Sequence, residues 1–164
     1  KQLSNVKRVR MLPRPAGEKE EEQLLRKLKE NAPLKADLAK MAGVVDVSEE
    51  LFRPVLRLAA DYANYGDGSA CWLQPGAIIL IGDDEPDFIL YFCFKCHDVV
   101  VVRRPNKESP EVFARNYRTS PELEGAVFEL AKKMFPGDAG LQKFPLKQRI
   151  RSTHPPKRVE EKGS

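Results

Sequence analysis

The sequence lacks the features that mark most membrane proteins and most enzymes. Its longest apolar runs, such as residues 88–94, are far shorter than the ~20 residues that a membrane-spanning helix needs. It has two histidines and contains no Gly-x-Ser-x-Gly, Gly-x-x-x-x-Gly-Lys or His-Glu-x-x-His motif. We therefore expect no transmembrane segment, no catalytic residues, no cofactor and no small-molecule substrate.

Cysteine is also scarce. The chain has three cysteines, an odd number and too few for a disulfide-stabilised fold, and it begins without the apolar core of a signal peptide. These features favour an intracellular, reducing compartment. The basic, acid-free start also resembles part of an organelle transit sequence, which makes a mitochondrial location the alternative.

One local motif, Cys93-x-x-Cys96-His97, has a spacing found in metal and haem sites. Zinc would take its ligands from Cys71, Cys93, Cys96 and His97. Zinc signatures usually contain two paired motifs, however, and covalent haem attachment needs an exposed loop rather than a predicted strand. We therefore expect structural thiols and no metal.

Charge is unevenly distributed along the chain. The formal net charge is +4, but residues 1–17 carry +5, residues 18–32 carry −1, residues 33–140 carry −5 and residues 141–164 carry +5. Both ends are rich in proline and poor in apolar periodicity, so neither buries enough surface to offset the entropy of ordering. This pattern predicts two flexible basic arms around an acidic folded region.

The basic arms are the candidate binding segments. Lysine and arginine bind phosphate backbones with release of counterions, which makes RNA or another nucleic acid the first expected partner and the surface of another protein subunit the second. The residues predicted to make these contacts are Lys7, Arg8, Arg10 and Arg14 in the first arm and Lys143, Lys147, Arg149, Arg151, Lys157 and Arg158 in the second.

The residues between the arms show helical patterns in several places. Apolar periodicity predicts helices at 18–31, 34–42 and 46–65, the last with a kink or a fresh start at Pro54. Two repeated signals, Ser109-Pro110-Glu111 and Ser120-Pro121-Glu122, combine a serine N-cap with proline at the first helical position. They predict two further helices, at 109–117 and at 120–137.

Three strands are predicted at 77–81, 88–94 and 99–103, which are apolar on both faces and should be covered on both. The connection at 83–87 holds four carboxylates, and we interpret it as a solvated hairpin turn, with a calcium or magnesium site as the alternative. The predicted fold is one small α+β domain at 33–140, a three-stranded antiparallel meander packed with helices. A charged amphipathic helix at 18–32 precedes it, and flexible basic arms at 1–17 and 141–164 flank it.

These expectations lead to a functional hypothesis. The chain is a non-catalytic structural or accessory subunit of a macromolecular assembly, ribonucleoprotein-like, whose arms contact nucleic-acid phosphates. One alternative is a protein–protein interaction module, which predicts that a folded core survives removal of residues 1–32 and 141–164. The other alternative is a small metal-binding protein or enzyme.

Overall fold

Seven strands and five helices make up the part of the chain that the structure describes. The computed structural model describes residues 6–13, 18–41, 43–68 and 75–146. The strands are β1 (Val9–Pro13), β2 (Val45–Val47), β3 (Tyr65–Asp67), β4 (Gly76–Ile81), β5 (Phe88–Cys93), β6 (Asp98–Arg103) and β7 (Phe113–Thr119). The helices are α1 (Glu18–Lys29), α2 (Lys35–Lys40), α3 (Glu49–Ala59), α4 (Pro121–Met134) and α5 (Ala139–Lys143), with a 3₁₀ turn at Tyr62–Asn64.

The strands form one antiparallel sheet in the order β2-β1-β4-β5-β6-β7-β3. Its centre is the predicted meander of β4, β5 and β6, in which Ile81 lies opposite Phe88 and Cys93 opposite Asp98. The mixed α+β character is therefore right, but a three-stranded meander as the whole sheet is wrong. Strands β1 and β2 extend the sheet on one side, and β7 and β3 extend it on the other.

Strand β1 comes from the segment predicted to be a flexible arm. Val9 and Met11 are buried on one face of the sheet, and the register places Val9 opposite Ile81. Pairing with a strand on each side satisfies the backbone groups of β1, and burial offsets the entropy of ordering it. Residues 9–13 are therefore an internal strand, and we no longer expect a folded core after removal of residues 1–32.

Strand β7 occupies most of the segment predicted to be a helix at 109–117. The side chain of Ser109 is not a helix cap there, because its Oγ accepts a hydrogen bond from Arg103 Nη2 at 2.7 Å. The second start signal works as predicted, since Ser120 Oγ accepts a hydrogen bond from Leu123 N–H at 3.1 Å and α4 follows. A capping motif thus opens a helix only where the following residues have a core to bury.

Helices cover both faces of the sheet. Helices α3, α4 and α5 pack on the face that contains Ile79 and Phe92, and α1 and α2 pack on the face that contains Tyr91. The narrow apolar stripe of α1 is buried there at Leu24 and Leu28. Helix α3 continues through Pro54, which lies on its exposed side, so the helix does not start afresh there. Among the described residues, no helix has the length and apolarity needed to cross a bilayer.

Candidate functional site

An arginine–carboxylate cluster forms where β1 meets the β4–β5 connection, and it includes two residues of the predicted phosphate-binding arm. Arg8 donates to Asp46 Oδ1 at 2.9 Å and to Asp84 Oδ1 at 3.2 Å, and Lys35 Nζ lies 2.7 Å from Asp84 Oδ2. The hydrogen bond to Asp46 raises the pKa of Arg8, while the hydrogen bond from Lys35 lowers the pKa of Asp84. These charges are neutralised within the chain.

Arg10 is withdrawn from solvent altogether. Its side chain is 6% exposed, and its Nη2 donates to the carbonyl oxygens of Asp83 and Asp84. Burial lowers the pKa of Arg10, because a charged guanidinium loses favourable hydration in the interior. The structure therefore uses Arg10 to hold the β4–β5 connection, in a position where a phosphate backbone cannot reach it.

Glu85 anchors the same connection to the helix layer formed by α1 and α2. Its carboxylate accepts hydrogen bonds from the backbone N–H groups of Leu34 and Lys35 at 2.8–3.0 Å and from Arg104 Nη1 at 2.6 Å. Burial alone would raise the pKa of Glu85, but these donors outweigh it and lower the pKa overall. The acidic turn at 83–87 is therefore more than a solvated turn, because its carboxylates bind cationic side chains and backbone N–H groups of the same chain.

The other predicted arm residues are placed less fully. Lys7 and Lys143 are exposed, the latter in the last turn of α5. The remaining predicted contacts lie outside the described residues: Arg14, Lys147, Arg149, Arg151, Lys157 and Arg158. In the first arm, Arg8 and Arg10 are bonded within the chain and are not available to a phosphate partner. In the second arm, Lys143 is the predicted contact that the structure describes.

A groove of about 570 Å³ opens on the opposite side of the sheet from this cluster, over β5, β6, β7 and β3 and beside the C-terminal end of α3. Leu90 and Val101 lie in its lining, between the aromatic side chains that dominate its surface. Those aromatic residues are Tyr62, Tyr65, Phe88, Phe113 and Tyr117. We call this site the aromatic groove.

Two of these aromatic side chains are unusually exposed. Tyr62 is 91% exposed and Phe113 is 38% exposed, and they are the described large apolar side chains that the fold leaves in solvent. Both border the aromatic groove. Apolar surface that is exposed and concentrated at one concave site is typical of a binding surface.

Two arginines lie against the aromatic rings of the groove. The guanidinium carbon of Arg103 is 5.9 Å from the ring centroid of Phe113, and that of Arg115 is 5.6 Å from the ring centroid of Tyr117. No carboxylate belongs to the described lining, although the strand register places Asp67 opposite Tyr117. The described lining of the aromatic groove is thus apolar apart from one arginine, Arg103, and the tyrosine hydroxyls.

Tyr65 is a structural part of the groove. Its hydroxyl donates to the carbonyl oxygen of Ala59 at 2.7 Å, and its ring meets that of Tyr117 edge-on at 5.3 Å between centroids. Burial raises the pKa of Tyr65 to about 12, so the phenol stays neutral and holds β3 against the end of α3. The titratable groups in the described lining of the groove are phenols and one guanidinium.

Comparison with protein-family models, curated proteins and solved structures finds no match for this chain. Its function is therefore argued from the chemistry of its own surface.

The predicted zinc ligands do not form a described metal site. Cys93 is buried, and its Sγ accepts a hydrogen bond from Cys96 N–H, while Cys71 lies outside the described residues. Cys96 is disulfide-bonded, so its sulfur is not a thiolate ligand. Within the described ranges, no three histidine, cysteine or carboxylate side chains are grouped to hold a metal ion.

His97 has a structural partner instead of a metal. Its Nδ1 lies 2.7 Å from Oε1 of Glu124, a carboxylate that is 3% exposed at the start of α4. The backbone of His97 is left-handed, with φ of 62°, and its carbonyl accepts hydrogen bonds from Thr119 N–H and Oγ1. These contacts hold the β5–β6 turn against β7 and α4.

Sequence reasoning missed most of the aromatic groove. Phe113, Arg115 and Tyr117 lie in the segment that was predicted to be a helix at 109–117. The sequence signal for a strand was the two-residue spacing of Phe113, Arg115 and Tyr117, because alternate residues of a strand lie on the same face.

Proposed function

We propose that this chain is a non-catalytic subunit of a nucleoprotein assembly and that it binds single-stranded nucleic acid through the aromatic groove. The observation that carries the proposal is the placement of the two exposed large apolar side chains among the described residues, Tyr62 and Phe113, on one concave site that Arg103 also lines. Arg115 lies beside this site, over the ring of Tyr117.

The chemistry of this surface suits an unpaired strand. Aromatic rings stack on the faces of bases that a duplex would hide, and arginines add electrostatic attraction to phosphates and stacking on bases. Such a surface needs no sequence-specific donor to bind, since every base has a π face. Lys7 and Lys143, both exposed, remain candidate phosphate contacts outside the groove.

The test measures binding of the full chain to a fluorescein-labelled, mixed-sequence 12-nucleotide RNA by fluorescence anisotropy at low and at near-physiological salt. We expect binding that weakens as salt rises. Tyr62→Ala should weaken it by about 5- to 30-fold, because one base loses its stacking partner. Tyr62 is 91% exposed, so this substitution should leave the thermal unfolding midpoint unchanged.

Lys95→Ala is the matched control for this experiment. Lys95 is exposed in the β5–β6 turn, whereas Phe113 lies at the opposite ends of the strands. We expect less than a twofold change. If the full chain does not bind RNA at low salt, the proposal is wrong. If a protein partner co-purifies after nuclease treatment and is lost in Tyr62→Ala, the protein-interaction alternative is favoured.

A further inference from the structure

Arg103 differs from Arg115, the exposed arginine beside the aromatic groove, in having a buried guanidinium nitrogen that makes no hydrogen bond among the described residues. One of its nitrogens, Nη2, donates to Ser109 Oγ at 2.7 Å. Its Nε is buried, and no hydrogen-bond acceptor lies near it among the described residues. A buried donor without an acceptor is costly, so this arrangement of the side chain is less stable than one in which an acceptor is supplied.

The surroundings of Arg103 leave room for a ligand to supply that acceptor. Arg103 is the last residue of β6 and lies opposite Phe113, on whose ring its guanidinium rests. The guanidinium is also held by its hydrogen bond to the hydroxyl of Ser109, which lies in the connection between β6 and β7. If the guanidinium turns away from Ser109, it uncovers a face of the Phe113 ring and directs its donors into the groove.

We infer that Arg103 is the specificity-determining residue of the aromatic groove and that it selects guanine. A base that stacks on Phe113 brings its edge next to the guanidinium, and guanine presents two adjacent acceptors, O6 and N7, that match an arginine fork. Adenine presents a donor beside its acceptor, and the pyrimidines lack N7. This inference rests on the proposed function, because it assigns the ligand of the same groove.

The test compares four labelled oligonucleotides, each a 12-nucleotide RNA of uridines with A, C, G or U at one central position. Wild-type protein should bind the G-containing strand roughly tenfold more tightly than the all-uridine strand. Arg103→Lys keeps the charge but loses the planar fork, so the preference should fall below about twofold while binding of the all-uridine strand persists.

Arg115→Lys is the matched control, since Arg115 lies on the same face and stacks on Tyr117. It should keep the guanine preference even if overall affinity falls. Ser109→Ala removes the hydrogen bond that holds Arg103 and should keep or increase the preference. Equal binding of all four strands by wild-type protein, or a preference retained in Arg103→Lys, would overturn the assignment of Arg103 without affecting the proposed function. Failure of wild-type protein to bind any of the strands would overturn both.

Discussion

The two sides of the sheet use arginine in opposite ways. Beside β1, Arg8 pairs with carboxylates, and Arg10 is buried with its Nη2 on carbonyl oxygens. The Arg10 Nε makes no hydrogen bond among the described residues, but the side chain is closed off from any partner by burial. Beside β7, Arg103 and Arg115 rest on aromatic rings, and no carboxylate belongs to the described groove lining. The net charge of a segment therefore does not locate a binding surface. The carboxylates within reach of each cation decide whether its charge is left for a partner.

The largest expected effect lies on the β1 side. Arg10→Ala should lower the free energy of unfolding by about 2–3 kcal/mol, because it leaves a space in the sheet and deprives the carbonyls of Asp83 and Asp84 of their donor. Arg8→Ala should cost less than about 1 kcal/mol, since its ion pairs are exposed. Urea titration of both variants measures the difference. Equal losses would mean that burial does not separate the two residues.

An intermediate effect is expected on the β7 side, in binding rather than stability. Arg115→Ala should weaken affinity for the mixed-sequence RNA by about 3- to 10-fold, whereas Arg118→Ala should change it by less than about twofold. The two arginines lie on the same strand and are both exposed, but their odd and even positions place them on opposite faces. If both variants lose affinity equally, the protein binds by overall charge and the groove is not the site.

The smallest effect concerns pH and returns to the β1 side. The folded state lowers the pKa of Glu85, so its carboxylate adds stability above the pKa that it has in the unfolded chain, and this stability is lost as pH falls through the folded-state value. Glu85→Gln should therefore flatten the decline of stability below about pH 5. Urea titrations between neutral and acidic pH check this. A decline as steep as in the wild-type protein would show that other carboxylates account for it.

Local patterns predicted some elements of the fold and failed at others for physical reasons. Strands β4, β5 and β6 lie within one residue of their predicted bounds, because short β-branched and aromatic runs were separated by turn residues. Strand β1 was missed because its stabilisation is non-local: Arg10 is bonded to the β4–β5 connection, far along the chain.

The candidate site was less predictable than the fold. Basic composition selected Arg8 and Arg10, but the carboxylates that neutralise Arg8 become its neighbours only through tertiary packing. The groove was hidden by the Ser109-Pro110-Glu111 signal, which predicts a helix from local chemistry alone. The competing preference, for pairing with β6, depends on a strand that the signal does not include.

The position of β1 also has a consequence for biosynthesis. This strand leaves the ribosome before the other six, yet its main partner, β4, follows about 70 residues later in the chain. Until β4 has emerged, Val9 and Met11 have no sheet to pack on and remain apolar surface on the nascent polypeptide. Until then β1 can pair only with the three residues of β2 among its sheet neighbours, and a delay at this stage exposes it to aggregation or to chaperones.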